Sequence, residues 1–172
     1  MKTLLLVLGA LGPCAAACAH ITLEQPAAPA GGYYKATLRV GHGCAGSATT
    51  AITVFLPDGF RGAKPMPKPG WQSVITKAKL AQPYESHGRR ITEDVTTVAW
   101  KGGSLADAHY DEFALFGKLP AREGKLYFKV LQECQSGRNE WFAIPEAGKS
   151  VHDYSQPAAE LLLTAPEHAH HH

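Results

Sequence analysis

His20 has the most distinctive chemistry this chain can offer, on one condition: the peptide bond before it must be cut. A histidine at the first position of a chain presents its α-amine and its ring Nδ1 together. The two nitrogens close a six-membered chelate ring around one metal ion, which no internal histidine can do. The amine has an unperturbed pKa of about 7.7–8.0 and the imidazole about 6.5, so both release protons to a metal at little cost near neutrality. Nitrogen donors suit Cu(II), which heads the affinity order of the divalent first-row metals and accepts tetragonal geometry. A carboxylate or a water then completes the plane.

The residues before His20 supply the cut. Lys2 is followed by an apolar run from Leu4 to Leu11, and then by small residues ending in Ala17-Cys18-Ala19. This order is that of a secretory signal peptide cleaved after Ala19. The apolar run is shorter than the roughly 18–20 residues that cross a bilayer, and no later segment reaches that length. The expectation is a periplasmic or secreted protein that begins His20-Ile21-Thr22-Leu23-Glu24 and has no transmembrane segment. The lesser alternative is a lipoprotein whose first residue is Cys18, which would keep the His20 amine in a peptide bond. Cys14, after Pro13, is a poorer acceptor still.

Cleavage reduces four cysteines to two, Cys44 and Cys134. In an oxidising compartment the simplest reading is one disulfide between them. A thiolate metal pair is the alternative, and no C-x-x-C spacing supports it. The net charge is +2, from 17 basic and 15 acidic residues scattered without a stripe or tail. Such a balance suggests neither a nucleic-acid partner nor an electrostatic membrane dock. No nucleophilic triad, phosphate loop or zinc-hydrolase motif is present.

The elements that must position these residues read as strands. Tyr34, Ala36, Leu38 and Val40 alternate onto one face, and Thr50 to Leu56 repeats the pattern before the turn signal Pro57-Asp58-Gly59. Further strands are expected at Gln72–Lys77, Val95–Trp100, Glu112–Phe116, Lys125–Leu131, Glu140–Ile144 and Leu161–Thr164. No segment keeps a helical apolar period over three turns, and there are no repeats or heptads. The fold class is therefore all-β: an antiparallel immunoglobulin- or fibronectin-like sandwich. The Pro-rich stretch from Lys64 to Gly70 reads as a stiff connection. One domain over residues 20–165 follows the leader 1–19. The His-rich tail 166–172 is either a purification-tag remnant or a native, loosely metal-binding end.

Several pieces then match a known family in order. They are His20-Ile21-Thr22-Leu23-Glu24, Ala30-Gly31-Gly32-Tyr33, His42-Gly43-Cys44 and Lys64-Pro65-Met66-Pro67-Lys68-Pro69-Gly70-Trp71, followed by Trp100-Lys101-Gly102-Gly103, Asp111-Glu112-Phe113, Gln132-Glu133-Cys134 and Trp141. With them the chain resembles the YcnI-like family of exported bacterial copper-binding proteins over nearly its whole length after the leader. The resemblance implies a β-sandwich with one mononuclear copper ion in a monohistidine brace: a terminal histidine, a carboxylate and a nearby tryptophan. It implies a copper chaperone or reservoir in copper homeostasis. The partners would be a copper-transport membrane protein or another exported copper carrier.

On that pattern the metal ligands are His20 and Glu112, and Trp141 lines the site. Glu24 is the other carboxylate considered, but four residues of strand span about 13 Å, so it would reach only if the terminus folded back. Trp71 and Trp100 sit beside apolar strand residues and read as core. His42, His87, His109 and His152 each read as surface histidines, with His109 the one nearest Asp111-Glu112. Two other functions compete with the carrier. A copper mono-oxygenase would also begin with a chelating histidine, but needs a second one in the same plane and a flat aromatic face, which no motif marks. A metal-free scaffold or adhesion sandwich would make His20 incidental. The expectation is a carrier and not an enzyme.

Overall fold

Tyr34, Ala36, Leu38 and Val40 are all buried, as their alternation requires, and they carry the inner face of strand β3 (Tyr33–Val40). The computed structural model describes residues 20–166 of the 172. The leader 1–19 and the tail histidines His168 and His170–His172 lie outside the described residues.

Strand β3 is flanked by β1 (Thr22–Leu23) and β8 (Asp111–Lys118), and β5 (Arg61–Pro65) closes that sheet in the order β1-β3-β8-β5. The facing sheet runs β2 (Ala27–Pro29), β11 (Ala159–Thr164), β9 (Gly124–Cys134), β4 (Thr49–Phe55), β7 (Arg89–Leu105) and β6 (Gln72–Ser86). Strand β10 (Arg138–Trp141) pairs with the second half of β9. Side chains from both sheets interdigitate between them, with Leu38, Phe113 and Leu115 facing Ile52, Val54, Trp100, Phe128, Val130 and Leu161. This is the expected sandwich, with the Cys44–Cys134 disulfide in place. Trp100 is fully buried, and Trp71 packs edge-on to Phe113 at the margin of the core.

Four details differ from expectation. The strand expected at Glu140–Ile144 is observed earlier, as β10 at Arg138–Trp141. The sandwich is not wholly antiparallel, because β2 pairs in parallel with β11. The Pro-rich stretch is a connection only after Pro65. Residues 61–65 form an edge strand on β8, the place in a sheet where a proline's missing N–H is tolerated. The pair expected at 72–77 and 95–100 continues into a long two-stranded arm that turns at His87-Gly88, both with positive φ as a tight hairpin turn demands.

A buried carboxylate ties that arm to the sandwich. Asp94 accepts hydrogen bonds from the Tyr84 hydroxyl at 2.7 Å and the Gly62 N–H at 3.0 Å, while the Arg61 guanidinium lies 4.2 Å from the Tyr84 ring centre. Burial, then the Asp94 hydrogen bond and charge, push the Tyr84 phenol up to about 12. Tyr34 and Tyr127 are pushed up to about 12 as well, each mainly by burial, with Glu24 and Glu160 adding to it. A phenol that keeps its proton in the folded state and loses it in the unfolded state makes stability fall as pH rises. The window opens at the unfolded value of about 10 and closes at about 12. Thermal melts followed across that window should show a falling Tm, with the tyrosinate absorbance of Tyr34, Tyr84 and Tyr127 appearing only on unfolding. All six tyrosines absorbing as tyrosinate near pH 10 in the folded protein would contradict it.

Candidate metal site at one end of the sandwich

Several chain segments meet at the end of the sandwich where β3 runs out. Because β1 is antiparallel to β3, its start at His20 and Ile21 lies at the same end as the loop His42-Gly43-Cys44. Strand β9 ends there too, at Cys134, and the disulfide joins that end to the loop. The loop backbone is tightly placed. The Gly43 N–H donates to Asp107 Oδ1 at 2.9 Å, and any Cβ on Gly43 would overlap the Ser47 carbonyl, so only glycine fits.

Gln132 organises this end from within. Its side chain is fully buried and all of its hydrogen-bonding capacity is used. Nε2 donates to the His42 carbonyl at 2.7 Å and to Thr49 Oγ1 at 2.8 Å. Oε1 accepts from Asn139 Nδ2 at 3.1 Å and from the indole N–H of Trp141 at 3.0 Å. The indole is thereby held by its nitrogen, and its ring is presented to the histidines around it.

Those histidines are His20 and His42, and His152 stands beside the first of them. The ring centres of His20 and Trp141 are 6.2 Å apart, and those of His42 and Trp141 are 5.9 Å apart, both edge-on. The His152 ring stands 6.3 Å from that of His20. His42 Nδ1 lies 2.6 Å from the Gly43 carbonyl oxygen, which can only accept, so Nδ1 carries the proton and Nε2 the lone pair when the ring is neutral. Such a hydrogen bond to a backbone carbonyl is how metal-ligating histidines are commonly oriented. Partial burial holds the His20 imidazole below its ordinary pKa, and the charges of His152 and His42 add to that. A ring kept neutral is a ring with a lone pair to give.

The expected carboxylates are placed differently. Glu24 and Glu112 converge on Arg39, at 3.4 and 3.5 Å, and Glu112 also accepts from the Tyr110 hydroxyl at 3.2 Å. The strand from Thr22 to Glu24 stays extended, with the Glu24 N–H donating to the Thr37 carbonyl, so Glu24 does not fold back toward His20. Glu112 lies two strand spacings, about 10 Å, across the sheet from Thr22. His109 stands in the turn before β8, where its N–H donates to the Ala106 carbonyl. The structure thus brings Trp141 to His20, and with it His42 and His152, which sequence reasoning set aside as surface residues.

Among the described residues, no group of three or more His, Cys, Asp or Glu side chains is gathered closely enough to hold a metal ion unaided. An α-amine released by the expected cut after Ala19 would add a donor that is not a side chain, and with it the residues present fit a copper site that depends on a free terminus.

A family profile described as a domain of unknown function, DUF1775, matches residues 20–163. The chain belongs to the DUF1775 family. This is the family of the YcnI-like proteins, in agreement with the residue pieces that carried the resemblance. The DUF1775 match begins at His20 itself. A crystal structure of an uncharacterized protein from Nocardia farcinica with an immunoglobulin-like fold is similar, with a TM-score of 0.65 and 26% identity. The likeness covers 85% of this chain and 99% of that one. No curated protein matched this DUF1775 chain.

Two of the site residues found here left weak signals in the sequence. Gln132 stands two residues before Cys134, so the period of a strand sends both side chains to the same face. His42 lies two residues before Cys44, which the disulfide brings to β9. His152 left none. It sits in a long excursion between β10 and β11, and only the return of that excursion puts it beside His20.

Proposed function

We propose that this DUF1775 protein is an exported copper-binding protein, a chaperone or reservoir that holds one copper ion through His20. The observation that carries the reading is the placement of His20 against Trp141, at the end of the sandwich and at the first residue of the family match. The amine and Nδ1 of a terminal His20 would supply the chelate. Trp141, with its nitrogen already committed to Gln132, would shield one side with its ring. Glu112, the carboxylate that the resemblance assigns, is held by Arg39 in a pair exposed enough to contribute only about 0–1 kcal/mol, a weak hold against a divalent cation. His20 is only partly buried, so an ion there stays accessible to a partner that delivers or receives it.

The mono-oxygenase reading needs a flat aromatic surface beside the metal. The exposed stacked pair of Tyr33 and Phe116 stands at the opposite end of β3 from His20, which favours the carrier.

The test is Cu(II) titration with EPR on the chain beginning at His20, with the tail histidines replaced by alanine. A control carries one extra residue before His20. The expected result is a tight one-to-one site whose spectrum changes in the control. Affinity in the control should fall by more than the roughly 10–100-fold that loss of an outer partner costs, because a direct donor is removed. Identical spectra in the two proteins, or only weak binding in both, would overturn the proposal.

A further inference from the structure

The geometry points to His152 as a second imidazole donor to the ion that His20 holds, so that this member of the family carries a two-histidine site. The inference rests on the copper reading above and adds a ligand to it.

The first support is distance. Metal–nitrogen bonds of about 2 Å place the ring centres of two imidazoles on one ion roughly 4.5 Å apart when cis and about 6 Å apart when trans. The rings of His20 and His152 are 6.3 Å apart, with planes inclined by 25°. His152 is exposed, so no core packing holds its ring away from that of His20.

The second support is the way His152 is presented. It lies in a single 3-10 turn, Val151–Asp153, closed by a reciprocal cap. Ser150 Oγ accepts from the His152 N–H at 3.0 Å, and the Asp153 carboxylate accepts from the Ser150 N–H at 2.7 Å. The excursion bearing the turn is clamped at its base, where the Ala143 N–H donates to the Gln156 carbonyl and the Ala158 N–H to the Ala143 carbonyl. That base follows Trp141 directly, so the strand that supplies the indole also sets the position of His152.

His42 serves differently on this reading. It packs on Trp141 and stays hydrogen-bonded to Gly43.

The test counts imidazoles. Pulsed EPR on the Cu(II)-loaded chain beginning at His20, with tail histidines replaced by alanine, reads remote ring nitrogens and separates one coordinated imidazole from two. The unmodified site should give two, and His152→Ala should give one with affinity at least about tenfold weaker. The turn keeps its cap in that variant because Ser150 and Asp153 remain, and circular dichroism checks that it folds. A single imidazole in the unmodified site, with tight binding retained, would overturn the role of His152 and leave the copper reading standing. A count that drops on His42→Ala but not on His152→Ala would overturn it too. Absence of tight binding in the unmodified chain would instead sink both.

Discussion

Replacing Gln132 with leucine should lower stability by about 3–5 kcal/mol and loosen the indole of Trp141 at the same time. Leucine fills most of the volume, so the loss is one of hydrogen bonds more than of packing. The Trp141 N–H and the Thr49 hydroxyl are buried and would be left without their partner, and the His42 carbonyl would lose its donor. Each stranded group costs about 1–3 kcal/mol, while Asn139 lies nearer the surface and finds water. Urea unfolding followed by tryptophan fluorescence reads both effects. The midpoint should fall, and the folded-state emission should shift as Trp141 gains freedom. A loss below about 1 kcal/mol would mean that the network is slack, in contrast to its distances of 2.7–3.1 Å. On the copper reading proposed above, copper affinity should drop in the same variant, since the ring packed beside His20 is held through Gln132.

Breaking the Cys44–Cys134 bond has the other large expected effect. The cysteines are 90 residues apart, and closing a loop of that size stabilises by about 4–5 kcal/mol in the chain-entropy model. For a chain of this length that corresponds to a Tm lower by roughly 10–20 °C. Calorimetry of the Cys44→Ala, Cys134→Ala double variant against the oxidised protein would measure it, and a shift of only a degree or two would contradict the estimate. The disulfide and Gln132 pin the same loop to the same strand, from neighbouring positions on one face of β9. Losses from the two changes should therefore combine non-additively, with a coupling of roughly 0.5–3 kcal/mol in a double-mutant cycle.

Much of the sandwich was legible because one-sided burial writes itself into a strand with period two. Strand β3 shows this plainly, and β4, β8, β9 and β11 were found within a few residues of their ends. Residues 78–94 of the arm were not. The arm stands clear of the core, and β6 is exposed along almost its whole length, so neither of its faces needs to be apolar. Strand β5 was hidden by Pro65, which argues against a strand everywhere except at an edge. Strand β2 pairs in parallel with a strand at the far end of the chain, a contact that leaves no local pattern.

By itself the sequence determined the fold class, the cysteine pair and the family. All of these rest on local patterns, on counts, or on short pieces kept in order. Only the tertiary structure decided who stands beside His20. Trp141 reaches it through the register of β10 on β9, His42 through the loop bound to Cys134, and His152 through an excursion that leaves β10 and returns at β11. It also decided that Glu24 and Glu112 both face Arg39, because outward side chains on adjacent strands meet across the sheet at equal or neighbouring register. Such encounters depend on strand order and register, which are sums over the whole core, and no single stretch of sequence carries them.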